Sequence, residues 1–393
     1  MLRREAPINR VVLSLTLTAL VIWLWLPLGS IAPNRIMPGT AYPLAQAVGW
    51  PLAMVSCLPL LGLLAVAWRP TRSGYRVALA LTLLMLAALP SWLALMAQQH
   101  LDPELPQARV GIGAAWWLML FWLSLLLIEL RTRLALAGWQ LTLSFVPVLA
   151  GWWLAGKGLE SLALRQELEG RGEAFGEALI QHLLLVGGAV GMSLLLGAAI
   201  ALAMRQSPRV ERLGFALLNF LQTIPSLALF GLLLAPLAWL SARVDWLSAL
   251  GVSGIGWAPA FLALLGYSLL PMVRNTFVAL SGVEPGVLEA ARGMGMSRGQ
   301  VFRQVRLPLA LPVVLEGVRI TTVQAIGLTA VAALIGAGGL GTFIFQGLGQ
   351  AAMDLVLLGA MPILVMALAV DALLGALTRR LDHRSGQTTG TIG

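Results

Sequence analysis

Histidine and cysteine are the side chains most able to bind a metal ion or to act as a base or a nucleophile, and this sequence has few of them. Its 393 residues include three histidines and one cysteine, Cys57. The histidines, His100, His182 and His383, lie far apart and lack the spacing of metal ligands, so we expect them to be solvated or interfacial. We also find no catalytic pair of carboxylates and no nucleophile beside a base. The sequence therefore predicts no catalytic, cofactor or metal site on this chain and gives no support to a membrane-embedded enzyme.

A second group of polar residues lies inside apolar segments, where polar groups are costly unless they find partners or line a watery cavity. Six of these residues are candidates for a translocation pathway: Gln222, Thr223, Pro225, Ser226, Tyr267 and Gln324. Thr321 and Thr322 lie in the same apolar segment as Gln324, and the same interpretations apply to them. The alternative for the Ser, Thr and Gln side chains is hydrogen bonding between helices. The ring of Tyr267 could meet a cation by a cation–π contact or could simply pack.

Three charged residues also fall within apolar segments. Glu316 and Arg319 are three residues apart, so they share one helical face and can form an ion pair. We interpret this pair as structural. Asp371 could pair with an arginine near the cytoplasmic surface, and alone it does not indicate a proton relay.

The elements that carry these residues are predicted to be membrane helices. Hydrophobic residues make up 59% of the chain and charged residues 11%, and apolar runs of about 20 residues, enough to cross a bilayer, recur throughout. We predict an all-α polytopic membrane protein with about ten transmembrane helices. The spans are 11–29, 45–67, 77–97, 112–130, 134–155, 182–204, 213–239, 258–280, 309–335 and 355–378. Internal prolines predict kinks in several of them.

The net charge of +9 follows the membrane topology and does not indicate nucleic-acid binding. With a cytoplasmic N-terminus, 19 of the 26 Lys and Arg residues lie on the cytoplasmic side. This is the positive-inside distribution, and it predicts that both termini are cytoplasmic. The N-terminal run after Arg3 and Arg4 is longer than the apolar region of most signal peptides, so we favour a retained helix over a cleaved signal.

The two halves of the chain differ in composition. Eleven of the fourteen tryptophans precede position 154. A polar stretch, 156–181, separates the halves, and we place it outside the cell as a short amphipathic surface helix. We predict an N-terminal membrane region of five helices, 1–177, a C-terminal core of five helices, 178–380, and a cytoplasmic tail, 381–393. The halves show no convincing internal repeat, which weakens the case for an inverted-repeat secondary transporter.

The segment 284–308, EPGVLEAARGMGMSRGQVFRQVRLP, is too long and too polar for a simple turn between spans. Glu284 and Pro285 favour a helix start, and Gly293 and Gly295 favour a helix end and a tight turn. Ser297 with Gln300 has the form of a capping box that opens a second short helix. We predict a helix, a turn and a helix on the cytoplasmic face.

This segment resembles the EAA loop of ABC importer permeases. The positions that match are Glu289, Ala290, Ala291, Gly295, Leu307 and Pro308, together with Val305 where isoleucine is more usual. In that family the first short helix is the coupling helix, which sits in a groove of the ATPase subunit. The resemblance implies that these residues couple the chain to an ATPase. The alternative is an ordinary amphipathic surface helix with a glycine turn.

Three further segments resemble permeases of osmoprotectant importers, which handle glycine betaine, choline and related quaternary amines: LQTIPSLALFGLL at 221–233, YSLLPMVRNTF at 267–277 and ALIGAGGLGTFIFQGL at 333–348. The likeness covers about residues 178–380 and implies a type I ABC importer core. The glycines at 336–341 favour a loop or a helix-packing motif. The N-terminal extension resembles that of the Yeh-type branch.

The resemblance implies a transport subunit rather than an enzyme. Its expected partners are a separate ATPase that binds ATP and Mg²⁺, an external or periplasmic substrate-binding protein, and a second or related permease, in a bacterial inner membrane. Two alternatives remain open: an ABC permease for an amino acid such as methionine, and a secondary transporter or channel that works without ATP. The exact cargo, the role of the N-terminal helices, the choice between homodimer and heterodimer, and a part in osmotic stress do not follow from the sequence.

Overall fold

The chain is described here from a computed structural model that covers residues 8–35 and 37–385, with side chains to Leu381. It divides into two compact units, Met1–Gly170 and Arg171–Gly393. The expected boundary at 177/178 instead lies inside a long helix, which begins at Gly172. Arg3, Arg4 and positions 386–393 of the expected tail lie outside the described residues.

The described residues of the N-terminal unit form eight helices and three short strands. In chain order they are α1 (Arg10–Trp25), β1 (Pro27–Ala32), β2 (Thr40–Pro43), α2 (Leu44–Val48), α3 (Trp50–Trp68), α4 (Arg72–His100), β3 (Arg109–Ile112), α5 (Ala114–Leu134), α6 (Gly138–Ser144), α7 (Val146–Gly156) and α8 (Ala163–Gly170).

Helix α1 packs into the core of the N-terminal unit. Asn9 caps it by accepting hydrogen bonds from the N–H groups of Val11 and Val12. The Trp23 side chain is 1% exposed, and its indole N–H donates to Ser56 Oγ at 2.9 Å. These contacts join α1 to α3, the helix that carries Ser56.

A small sheet in this unit was not predicted. The strand order is β2-β1-β3, and both pairings are antiparallel. At its edge Glu167 is 5% exposed and pairs with Arg35 Nε at 2.9 Å and Arg109 Nη1 at 2.8 Å. Part of the polar stretch predicted as a surface helix forms α8, which is tied to the sheet through this buried carboxylate, and its last residues, from Gly172, begin α9.

Helices joined by turns and loops make up the described residues of the C-terminal unit, which contain no strand. Its helices are α9 (Gly172–Met204), α10 (Pro208–Thr223), α11 (Ser226–Ser241), α12 (Asp245–Ala249), α13 (Trp257–Ser281), α14 (Pro285–Gly293), α15 (Arg298–Gln300), a π-helical turn (Val301–Arg306), α16 (Leu307–Ala332), a 3₁₀ turn (Ala333–Ile335), α17 (Gly341–Gly349) and α18 (Met353–Ser385).

The prediction of a polytopic helical membrane protein is confirmed, and its ten spans are roughly consistent with the structure. Within the described residues, seven helices are long and apolar enough to cross a membrane, or eight if the bent pair α10 and α11 forms one span. The expected span 11–29 becomes α1, with 16 residues. The expected span 134–155 is broken at Phe145 into α6 and α7.

Helices α9, α13 and α16 form the centre of the C-terminal unit. Helices α9 and α13 run in the same direction, because Gly188 lies beside Phe261 near one end and Gly197 lies beside Met272 further along. Gly197 permits their close approach, since a Cβ there would lie 2.8 Å from Met272 Cγ. Helix α16 runs the opposite way. One end of this core therefore carries the segment 284–308, and the other end carries the start of α13 and the end of α16.

Candidate functional site

The segment 284–308 contains the predicted helix and turn. Helix α14 begins after Glu284 with Pro285 in its first turn and ends at Gly293. Gly295 makes the turn with φ of +85°, a left-handed conformation that side chains with a Cβ rarely adopt. The Met296 N–H donates to the Ala291 carbonyl at 3.3 Å and closes the turn.

The second part of the segment differs from the prediction. The capping box is present: Ser297 Oγ accepts from the Gln300 N–H at 3.3 Å, and Gln300 Oε1 accepts from the Ser297 N–H at 2.8 Å. The capping box begins a continuous helix, Arg298–Ile335, where a separate short helix was predicted. Pro308 lacks the N–H that would close an α-helical turn, and the preceding residues adopt a π-helical turn. Leu307 and Pro308 thus belong to the helix that continues as α16.

Helix α14 has one buried face and one exposed face. Leu288, Ala291 and Val301 form a small core, and Val283, Met296 and Val305 pack against it. Ala291 therefore points into the segment itself, whereas Glu289, Ala290, Gly295, Leu307 and Pro308 are exposed. Sequence reasoning missed Met294, which is 77% exposed. The sequence feature that could have predicted the exposure of Met294 is its position between two glycines at the helix end.

Arginine is concentrated at this end of the unit. Burial lowers the pKa of Arg205, which follows α9, and the nearby charge of Arg306 lowers it further. The charges of Arg205 and Arg306 are thus close enough to repel each other.

The bend between α10 and α11 brings five of the six pathway candidates together. The two helices meet at 99°, and Pro225 lies between them. The Gln222 Nε2 amide donates to the Tyr267 carbonyl at 3.0 Å, and the Tyr267 hydroxyl donates to the Ile224 carbonyl. Thr223 Oγ1 donates to the Phe220 carbonyl at 2.7 Å. Gln222 and Tyr267 therefore hold the bend, which fits the interhelical alternative for Gln222.

The other candidates are less tightly held. Ser226 begins α11 and is half-buried, and Gln324 is exposed on α16. The hydrogen bonds of the described residues do not link Gln324 to the bend.

The predicted pair of Glu316 and Arg319 is confirmed, with Arg319 Nη1 3.2 Å from Glu316 Oε1. Asp371 pairs with the same arginine rather than with one near the helix end: Arg319 Nε lies 2.7 Å from Oδ1 and Nη2 lies 3.0 Å from Oδ2. The three side chains carry a net charge of −1 and are 28% (Arg319), 40% (Glu316) and 46% (Asp371) exposed. Charged side chains within a membrane span avoid lipid. We therefore expect water or protein to lie against Glu316, Arg319 and Asp371.

The far end of the core contains a cleft of about 650 Å³. Its lining residues are Gln181, Leu184, Leu185, Gly256, Trp257, Phe261, Gly336, Ala337 and Gly338. The Trp257 and Phe261 rings meet edge to face with centroids 6.5 Å apart.

A glycine turn closes one side of the cleft. Gly336, Gly338 and Gly339 all have positive φ, so the motif is a turn between α16 and α17. Gln181 Oε1 accepts from the Gly339 N–H at 3.1 Å. The prediction that His182 is solvated or interfacial is wrong: it is 0% exposed behind the turn, with Nε2 3.1 Å from the Ile326 carbonyl.

Family models match both units. Residues 193–383 match the binding-protein-dependent transport system inner membrane component family, and residues 9–164 match the N-terminal domain of the ABC transporter permease YehY.

Curated relatives match the C-terminal unit. The carnitine transport permease protein OpuCB of Listeria monocytogenes is 36% identical over 205 residues, which are 52% of this chain and 87% of that protein. The osmoprotectant import permease protein OsmW of Salmonella typhimurium is 41% identical over 194 residues, 49% of this chain and 85% of that protein.

Among solved structures, the inward-facing MetNI methionine ABC transporter is 20% identical, with a TM-score of 0.47, over 54% of this chain and 98% of that one. The family follows from the match to the curated relatives, because more than four fifths of each of those proteins aligns with this chain. This chain belongs to the inner membrane components of binding-protein-dependent transport systems, and it is a multi-span ABC transporter permease, a transport subunit rather than an enzyme.

Proposed function

We propose that this chain imports a quaternary-amine osmoprotectant, such as glycine betaine or choline, across the bacterial inner membrane with both termini in the cytoplasm. A separate ATPase supplies the energy with ATP and Mg²⁺, and an external substrate-binding protein delivers the cargo. Two permeases, either two copies of this chain or this chain and a related one, enclose the pathway.

The observation that carries the proposal is the geometry of the segment 284–308. Its helix α14 is held on a small core of its own and presents Glu289, Ala290 and Met294 outward. A short helix with small side chains and one projecting methionine suits a groove on a partner. Glu289 supplies a charge for a basic partner.

The same segment connects directly to the core. Helix α13 ends at Ser281, just before α14, and α16 continues the helix that follows the Gly295 turn. At the far end the Gly256 N–H donates to the Ile335 carbonyl at 2.9 Å, which joins the same two helices beside the cleft. A displacement of α14 is therefore transmitted through α13 and α16 to the other end of the core.

This linkage supports an alternating-access mechanism. ATP binding closes the two ATPases and brings the coupling helices together, which opens the pathway toward the binding protein. Hydrolysis and release of the products reset the pathway. Glu289, Ala290, Gly295, Leu307 and Pro308 carry the coupling in this proposal, with Ala291 supporting the helix from its buried side.

The cargo class is supported by two observations. The relatives are named for carnitine, a quaternary amine, and for osmoprotectants. The cleft presents two aromatic rings, and its described lining has no charged side chain. Such a lining suits a weakly hydrated quaternary ammonium better than the primary ammonium of an amino acid such as methionine, which needs hydrogen-bond acceptors.

The test is uptake by proteoliposomes that contain the permease and its ATPase, with the binding protein outside and ATP inside. We expect labelled glycine betaine or choline to accumulate only with ATP, and labelled methionine not to accumulate. Equal uptake with and without ATP, driven by an ion gradient, would support the secondary transporter instead. ATP-driven uptake of methionine alone would replace the proposed cargo.

A further inference from the structure

The cleft at the far end of the core is a small-molecule site in its own right. Its volume of about 650 Å³ lies within the usual range for ligand pockets, roughly 300–1,000 Å³. Three separate segments build it: the part of α9 from Gln181 to Leu185, the start of α13 and the glycine turn after α16. The Gly256 to Ile335 hydrogen bond holds two of these segments together.

One wall of the cleft is aromatic. Trp257 is 45% exposed, and its edge-to-face contact with Phe261 leaves ring surface available to a ligand. An aromatic face attracts a cation through its quadrupole, and tryptophan does so most strongly. A quaternary ammonium offers no N–H donor, so an aromatic and apolar wall satisfies it without acceptors.

Another part of the lining is polar. Gln181 Oε1 accepts the Gly339 N–H, which fixes the side chain and leaves the two N–H donors of Nε2 for a ligand. Amide donors suit a carboxylate oxygen. The glycines keep this part of the lining open, because a Cβ on Gly338 would lie 2.1 Å from Gln181 Oε1.

We propose that this cleft binds the cargo within the permease itself, with the quaternary ammonium against Trp257 and Phe261 and the cargo carboxylate on Gln181. The choice of ligand class rests on the proposed function. The cleft lies at the junction of α13 and α16, the two helices that α14 moves, so the site changes shape with the ATPase cycle. The permease then selects its cargo in addition to the selection by the binding protein.

The test is equilibrium binding of labelled glycine betaine, and of labelled choline, to the purified full-length permease with its ATPase and without the binding protein. The wild type should bind both. We expect Trp257→Leu to weaken binding about tenfold and Trp257→Phe, which keeps a ring, to weaken it only about threefold. The control is Trp239→Leu, an exposed tryptophan of α11 outside the cleft, which should bind as the wild type does.

Two further measurements distinguish a charged ligand site from an apolar crevice. The neutral compound 3,3-dimethyl-1-butanol has the shape of choline without its charge, and it should compete with labelled choline at least about tenfold more weakly than choline does. Gln181→Glu keeps the acceptor for Gly339 but replaces the donors with a negative charge. It should weaken glycine betaine binding and leave choline binding unchanged or stronger.

Absence of binding by a folded wild type, unchanged binding by Trp257→Leu, or equal competition by the neutral compound would overturn the site. Uptake by the same preparations, measured with the binding protein and ATP, separates this result from the proposed function. If uptake persists without detectable binding, the site is wrong and the importer proposal stands. If ATP-driven uptake is absent while binding is normal, the importer proposal is wrong and the site stands.

Discussion

Replacing Gly295 with valine is expected to reduce ATP-driven uptake at least about tenfold while leaving membrane insertion intact. Gly295 has φ of +85°, and no atom lies within 4 Å of the point that a Cβ would occupy, so the cost of the change is in the backbone and not in a clash. A left-handed conformation costs about 1–2 kcal/mol in an ordinary L-residue and more in a β-branched one. The population of the α14 orientation that fits the ATPase would then fall by a factor of about ten or more.

The matched control is Gly299→Val in the same segment. Gly299 also has open space where a Cβ would lie, but its φ is not in the left-handed region. We expect uptake close to wild type for Gly299→Val and loss for Gly295→Val, with equal amounts of each protein in the membrane. Normal uptake by Gly295→Val would show that this turn does not transmit the motion.

The second large effect is expected at Arg319. Replacement of Arg319 by glutamine removes the positive charge that pairs with Glu316 and Asp371. The two carboxylates then lie within the membrane span without this cation. Uncompensated charges at this depth are strongly disfavoured, so we expect a large loss of folded protein and of uptake. Asp371→Asn should be milder, because Arg319 keeps Glu316 as a partner.

A double-mutant cycle shows whether the ion pair itself is responsible. Arg319→Gln combined with Asp371→Asn should be less harmful than the sum of the single changes and no worse than Arg319→Gln alone. Arg274→Gln is the control, since the hydrogen bond of Arg274 is to the neutral Asn219 at 3.5 Å, and it should have little effect. Additive losses in the cycle would mean that Arg319 and Asp371 act independently.

The helices and the main features of the coupling segment could be predicted from the sequence because their signals are local. Long apolar runs mark the spans, and the Ser297 and Gln300 spacing marks a cap that the structure contains. The positive φ at Gly295 follows from a glycine at a helix end. The pairing of Glu316 with Arg319 follows from helical periodicity in the same way.

The internal prolines predicted kinks in these spans, but the extent of the breaks could not be predicted, because hydropathy is continuous across them. The bend at Pro225 is fixed by hydrogen bonds from Gln222 and Tyr267, and Tyr267 lies on another helix. The π-helical turn before Pro308 extends α16 toward the coupling segment, which composition alone does not show.

Features formed by residues far apart in the chain could also not be predicted from the sequence. The sheet joins three strands of four to six residues, too short to stand out from apolar surroundings. His182 is buried by the turn at Gly338 and Gly339, far along the chain. The cleft likewise arises only where three separate segments meet.

The most direct test of the coupling account is co-purification of candidate ATPases with the detergent-solubilised permease. The comparison is wild type against a chain with both Glu289→Lys and Gly295→Val, the charge and the turn on which the coupling face depends. An ATPase should be recovered with the wild type and lost from the double variant, with both permeases folded and equally abundant. Recovery of the ATPase in equal amounts with both chains would contradict the assignment of this face as the coupling site.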